Sequence, residues 1–177
     1  MVSKDNTAVS RTQRFERYQN LPESDQRVLE LLSLIYHPIS RSALADCLNA
    51  ANIPNAMGKR WTTALLKLPV TDWEAIGLVS QSSAGIQCDP LVVELITREL
   101  AKSDRLAAYA KVTKQKARST SSALDPVDIV IRFSRLGLYL NEPKQVEEAL
   151  SRYGYGAVEL QDVLRAICFN PFDRDWF

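Results

Sequence analysis

The feature that most constrains this chain is a double switch of apolar period. Apolar residues are dense from Val28 to Ile35, recur at three-to-four spacing at Leu44, Ala45 and Leu48, and return on one side of a helix at Trp61, Leu65 and Leu68. The period then shortens. Ile76-Gly77-Leu78-Val79-Ser80-Gln81 and Gly85-Ile86-Gln87-Cys88 flank a Ser-Ser-Ala-Gly turn and read as two short strands, after which Leu91, Val92, Leu95, Ile96 and Leu100 restore the helical spacing. Only a helical unit carrying one hairpin accommodates that order.

Local signals set the boundaries. Residues 1–20 are polar and largely unpatterned and read as a flexible N-terminal tail, with a short lead-in helix at Arg14–Gln19. Leu21-Pro22-Glu23-Ser24-Asp25-Gln26 opens a helix, because Pro suits the first turn and carboxylates suit the positive end of the helix dipole. Tyr36-His37-Pro38 ends it. Ile39 supplies an extended step, and Ser40 is placed to cap a second helix that ends near Asn52-Ile53-Pro54. A third helix is expected from Ala56 to Leu68, stopped by Pro69, with Trp61, Leu65 and Leu68 inward. Asp89-Pro90 begins the helix after the hairpin, which runs on into a basic stretch.

Three helices, a hairpin and a long following helix form the order of a winged helix, assigned here to residues 21–112. Residues 113–122 are basic and Ser/Thr-rich and read as a linker or helix end. Residues 123–177 form a second helical domain, either a small bundle or the start of helical repeats, with Ile129, Val130, Phe133, Leu136 and Leu140 as core candidates. Its aromatic finish, Phe169 through Trp176-Phe177, reads as the opening of a further helix, so that this domain is expected to be truncated. Charge supports the division. Residues 98–118 carry seven basic side chains against two acidic ones, whereas residues 123–177 carry six against nine.

The first block resembles the winged-helix domains that follow the nucleotide-binding module in bacterial STAND-type ATPases and regulators. The resemblance rests on Leu29–Ile35, on Ser40-Arg41-Ser42-Ala43-Leu44-Ala45-Asp46-Cys47-Leu48, on Ile76-Gly77-Leu78-Val79, and on Ile86-Gln87-Cys88-Asp89-Pro90-Leu91-Val92-Val93-Glu94-Leu95-Ile96. It covers somewhat under half the chain. It departs from the family pattern at Asp89, where a His usually precedes the Pro, and in having only polar residues ahead of the winged helix. The resemblance implies a packing or regulatory domain of a larger, nucleotide-driven protein.

Catalytic chemistry finds no support in the residues. The one Gly-Lys pair, Gly58-Lys59, lacks both the earlier Gly and the following Ser or Thr of a phosphate loop. His37 is the single His, and its position before Pro38 suggests a capping or surface role. Cys47, Cys88 and Cys168 lie far apart without ligand spacing and read as small core thiols, so no metal and no cofactor is expected. No apolar run is long enough to span a membrane and no leader pattern begins the chain, which points to the cytoplasm.

The surface candidate is a stripe on the third helix. Lys59, Thr63 and Lys67 fall at i, i+4 and i+8 with Arg60 beside them, and Arg98, Lys102 and Arg105 would extend the footprint. The leading expectation is a non-catalytic regulatory or protein-interaction module that contacts another domain of the same protein or a separate protein. The alternative is DNA binding, as an accessory domain of a bacterial helicase, remodelling ATPase or transcription regulator, with the third helix in the major groove. The wing residues Gln81-Ser82-Ser83-Ala84 carry no charge, which favours the first.

Overall fold

The computed structural model describes the backbone of residues 4–117 and 126–153, and side chains over residues 11–117 and 128–151. The protein is mostly helical with one antiparallel hairpin, and divides into two compact units, residues 1–120 and 121–177.

The first unit contains α1 (Lys4–Gln19), α2 (Glu23–Ile35), α3 (Arg41–Ala50), α4 (Lys67–Ala75), the strands β1 (Val79–Ser82) and β2 (Gly85–Cys88), α5 (Val93–Ala101) and α6 (Arg105–Lys116). Helix α2 lies at its centre. Every residue from Val28 to Ile35 is buried, and α2 packs on α3, α5, α6 and β2. An all-round apolar helix satisfies its surface only when neighbours enclose it, which is the arrangement found. Ser33 and Thr97 join α2 to α5 through hydroxyls 3.1 Å apart, while Thr97 also donates to the carbonyl of Val93.

Three helices end in the same way. At Asn52, Gly77 and Asn141 the backbone turns to positive φ. The next amide reaches back to the carbonyl five residues earlier: Ile53 to Leu48, Leu78 to Trp73 and Glu142 to Gly137. This pair of reversed bonds satisfies carbonyls that a helix end leaves open. It also assigns Ile76 and Gly77 to the end of α4, so the first strand begins at Val79 rather than at the expected Ile76. Ser40 caps α3 as its sequence suggests, its Oγ accepting from the amide of Ala43 at 3.2 Å.

The hairpin pairs Val79 with Cys88 and Ser82 with Gly85. Ile39 extends it as a single bridge, exchanging backbone hydrogen bonds with Ile86 at 2.9 and 2.8 Å. Gly85 sits at φ +134°, where a Cβ would meet the carbonyl oxygen of Ile39 at 2.5 Å. Only glycine admits that approach.

Four expectations require correction. Within the expected tail of residues 1–20, the described residues 4–20 are not flexible tail; they carry α1, fixed by contacts far away in sequence. Arg14 pairs with Asp89 at 2.6 Å and donates to the Gly77 carbonyl, Arg17 donates to the Ile76 carbonyl at 2.9 Å, and Tyr18 is buried. Asp89 is thus an anchor of α1. Second, the long helix after the hairpin is broken in two. Ser103 accepts from the amide of Arg105 with the same Oγ that donates to the Leu100 carbonyl, ending α5 and starting α6. Third, His37 is buried, with its ring edge-on to Tyr36 at 5.1 Å, not on the surface. Fourth, residues 56–66 are not a regular helix, as set out below.

The second unit shows α7 (Pro126–Tyr139) and α8 (Pro143–Tyr153), packed together through a short turn. Gly137 lets them close up, since a Cβ there would lie 2.8 Å from Val146 Cγ2. Val130, Leu136 and Ala149 are buried, and so are Ile131, Arg132 and Arg135, which the apolar pattern does not indicate. The expected third helix and the aromatic finish lie outside the described residues, as do residues 118–122 of the linker and residues 123–125 after it.

Candidate interaction surface

Between α3 and α4 the chain runs through a long segment that is irregular but held firmly. The Asn55 side chain accepts from the amides of Met57 and Lys59 at 2.9 and 3.0 Å, and the backbone amide of Asn55 donates to the Lys59 carbonyl. Gly58, at φ +72°, completes this turn. Asn49, projecting from α3, then grips the backbone of Trp61 twice. Its Nδ2 donates to the Trp61 carbonyl and its Oδ1 accepts from the Trp61 amide, both at 2.9 Å. With its backbone fixed, Trp61 is buried as expected.

Thr62 next accepts from the amide of Leu65 through Oγ1, and from the amide of Leu66 through its carbonyl, starting a helical turn that leads into α4. Pro69 therefore occupies the first turn of α4 and does not end a helix. Its missing N–H costs nothing there, because first-turn amides have no partner within the helix. The inward stripe is Leu66, Val70 and Trp73, all buried, and Trp73 donates through Nε1 to Asp25 at 3.2 Å.

That rotation overturns the expected placement of Leu65 and Leu68. Leu68 is 71% exposed, Leu65 37% and Met57 65%. Sequence periodicity missed these three as surface residues because Pro69 was read as a stop. The signals that could have found them are the asparagines at 49, 52 and 55, with Gly58 and Pro69 marking a turn and a restart.

The expected cationic residues separate into two groups. Lys59, Arg60, Thr63 and Lys67 are all exposed on this segment. They do not form a stripe on one helix, since Lys59 and Arg60 belong to the irregular part and only Thr63 and Lys67 span a helical turn. Arg98, Lys102 and Arg105 lie elsewhere. Arg98 is half-buried on α5, and Lys102 pairs with Glu99 at 2.6 Å. Arg105 holds the buried Glu30 carboxylate with two hydrogen bonds. It is a clamp between α6 and α2.

The hairpin is tied to both neighbouring helices. Glu74 of α4 accepts from the Gln81 amide and side chain, and Arg41 of α3 donates to the side-chain Oε1 of Gln81 at 3.1 Å. The exposed acids Asp72 and Glu74 therefore follow Lys67 along α4. Among the described residues no group of His, Cys, Asp or Glu is arranged to hold a metal, and no helix is long and apolar enough to cross a membrane. No protein-family model, no curated protein and no solved structure matches this chain.

Proposed function

We propose that this chain is a non-catalytic interaction and regulatory module on a winged-helix plan, and that the Met57–Leu68 segment is its contact surface. The plan is supported by the order α2, extended Ile39, α3, α4 and hairpin, with Ile39 paired to Ile86 as the short third strand. The resemblance to the packing domains of STAND-type ATPases agrees with it, and suggests another domain of a larger nucleotide-driven protein, or a separate protein, as the partner. The observation that carries the reading is the outward pair Leu65 and Leu68 on a segment fixed by Asn49, Asn55 and Thr62. Large apolar side chains held in water at a pinned position cost free energy unless a partner covers them.

DNA binding is the second reading. It is favoured by Lys59, Arg60 and Lys67, which are exposed and unpaired among the described residues. Against it stand the exposed Leu residues, which phosphates and base edges give little reason to hold outward, and the uncharged wing, since a groove-binding face needs cations to offset phosphate charge.

A photo-crosslinking amino acid at position 65 or 68, with position 107 on the exposed side of α6 as control, separates the readings in cells. Discrete protein adducts at 65 and 68 alone are expected. Adducts to nucleic acid, or equal labelling at all three positions, would overturn the proposal.

A further inference from the structure

We infer that the Met57–Leu68 surface receives an acidic amphipathic helix, a partner whose apolar stripe meets Met57, Leu65 and Leu68 and whose carboxylates meet Lys59, Arg60 and Lys67. This rests on the interaction reading above and names the chemistry of the partner.

The apolar half of the argument is concentration. Of the four large apolar side chains exposed among the described residues, three are Met57, Leu65 and Leu68. Leu65 and Leu68 stand at i and i+3 across the turn that enters α4, the spacing at which side chains share a face. Met is well suited to such a surface, because its unbranched thioether adapts to the shape of what it meets.

The charged half is asymmetry. No acidic residue lies between Asp46 and Asp72, while Lys59, Arg60 and Lys67 all do. Elsewhere in the unit several cations are engaged: Arg14 with Asp89, Arg27 with Glu23, Lys102 with Glu99 and Arg105 with Glu30. Three unengaged cations interleaved along one short exposed segment with three exposed apolar side chains match a ligand that is apolar on one side and anionic along its margins. Electrostatic complementarity of this kind guides encounter, and the apolar anchors supply most of the affinity. Because Asn49 and Asn55 fix the segment beforehand, little ordering is required on binding.

Fluorescence anisotropy with the full chain tests this. The probe is a labelled helical peptide with Leu at i, i+3, i+4 and i+7 and Glu at most other positions. Its controls are the same peptide with Lys for Glu, and an acidic peptide of equal composition with the Leu stripe scrambled. The acidic amphipathic peptide is expected to bind about tenfold or more tightly than either control, and to weaken as salt rises. Leu65→Ser with Leu68→Ser should lower its affinity by about tenfold or more. Lys59→Gln, Arg60→Gln and Lys67→Gln together should flatten the salt dependence, with the thermal midpoint unchanged in both variants because every altered side chain is exposed.

Equal binding of the scrambled or basic peptide overturns the inference. So does tighter binding of duplex DNA, of phosphatidylglycerol vesicles, or of a second copy of this chain at the same residues. If no peptide binds while crosslinks at 65 and 68 still capture a protein, the acidic helix is wrong and the interaction reading stands. Loss of both removes both.

Discussion

Arg105 on α6 and Glu30 on α2 form a two-pronged ion pair, with Nη2 donating to Oε1 at 2.8 Å and Nε to Oε2 at 3.2 Å. Glu30 is only 4% exposed, so its charge depends on this partner, and Tyr18 of α1 points its hydroxyl at the same carboxylate. A single acidic side chain in the apolar face of α2 thus ties three helices together. Arg105→Ala strands a buried carboxylate and is expected to destabilise the unit by about 2–3 kcal/mol, below the full cost for a buried pair because the guanidinium is partly solvated. Arg105→Lys keeps the charge but loses the fork and should fall between the two. Urea unfolding of the three proteins checks this, and equal midpoints would show that the pair contributes nothing.

The same centre sets a response to alkali. Burial, reinforced by the Glu30 carboxylate, pushes the Tyr18 hydroxyl well above its ordinary value of 10.0, and burial raises Tyr109 as well. An unfolded chain releases these protons near pH 10 while the folded chain retains them. Stability is therefore full below pH 10 and declines as pH rises beyond it toward the folded-state values. Tyr18→Phe removes one of the retained protons, so its urea midpoint should fall less steeply between about pH 9 and about pH 11 than that of the parent. Identical slopes in the two proteins would remove Tyr18 from the explanation.

Gly85 offers a test of the corner where the Ile39 bridge meets the hairpin. A methyl group there meets the Ile39 carbonyl oxygen at 2.5 Å, and that oxygen is fixed by its bond from the Ile86 amide. Gly85→Ala should cost about 2–4 kcal/mol, combining backbone strain with loss of the Ile39 bridge. Ala replacing the exposed Ser83, two positions earlier in the turn, should change stability by less than about 0.5 kcal/mol. Thermal unfolding distinguishes them, and faster exchange of the Ile39 amide in Gly85→Ala alone would locate the damage.

Sequence pattern carried the helices whose ends are chemically explicit. Ser40 before α3, Pro22 before α2 and the hairpin around Ser83-Ala84 are local events, and local residues announce them. The buried run Val28–Ile35 was equally legible, because only a central helix is apolar on all sides. Two failures have one cause, the ambiguity of a residue that serves two roles. Pro69 fits a helix start as well as a helix stop, and choosing the stop rotated Leu65 and Leu68 into the core. Gly77 fits a strand edge as well as a helix end. The third failure is non-local. Nothing near Arg14 or Arg17 announces that Asp89 and the carbonyls of Ile76 and Gly77 await them, so α1 was read as a tail. Arg105 was offered to a ligand for the same reason, since its partner Glu30 is distant in sequence and hidden in an apolar run. The exposure of Lys59, Arg60, Thr63 and Lys67 is legible from their polarity, and that of Leu65 and Leu68 is not.

Asn49 decides whether that surface stays in place. It is half-buried on α3, and its carboxamide closes a two-bond ring with the backbone of Trp61, the position from which the segment turns toward Thr62 and Leu65. Asn49→Ala removes both bonds and should cost about 1–3 kcal/mol. Asn49→Asp keeps an acceptor for the Trp61 amide but sets a carboxylate oxygen against the Trp61 carbonyl. The two variants should therefore differ at one atom: protection of the Trp61 amide from hydrogen exchange is lost in the Ala variant and partly kept in the Asp variant. Capture of a partner through position 65 or 68 should weaken in both, because the apolar pair is no longer held where α3 placed it. If the Trp61 amide exchanges at the parent rate in Asn49→Ala, packing of the indole alone fixes the segment, and the surface does not depend on the polar grip of α3.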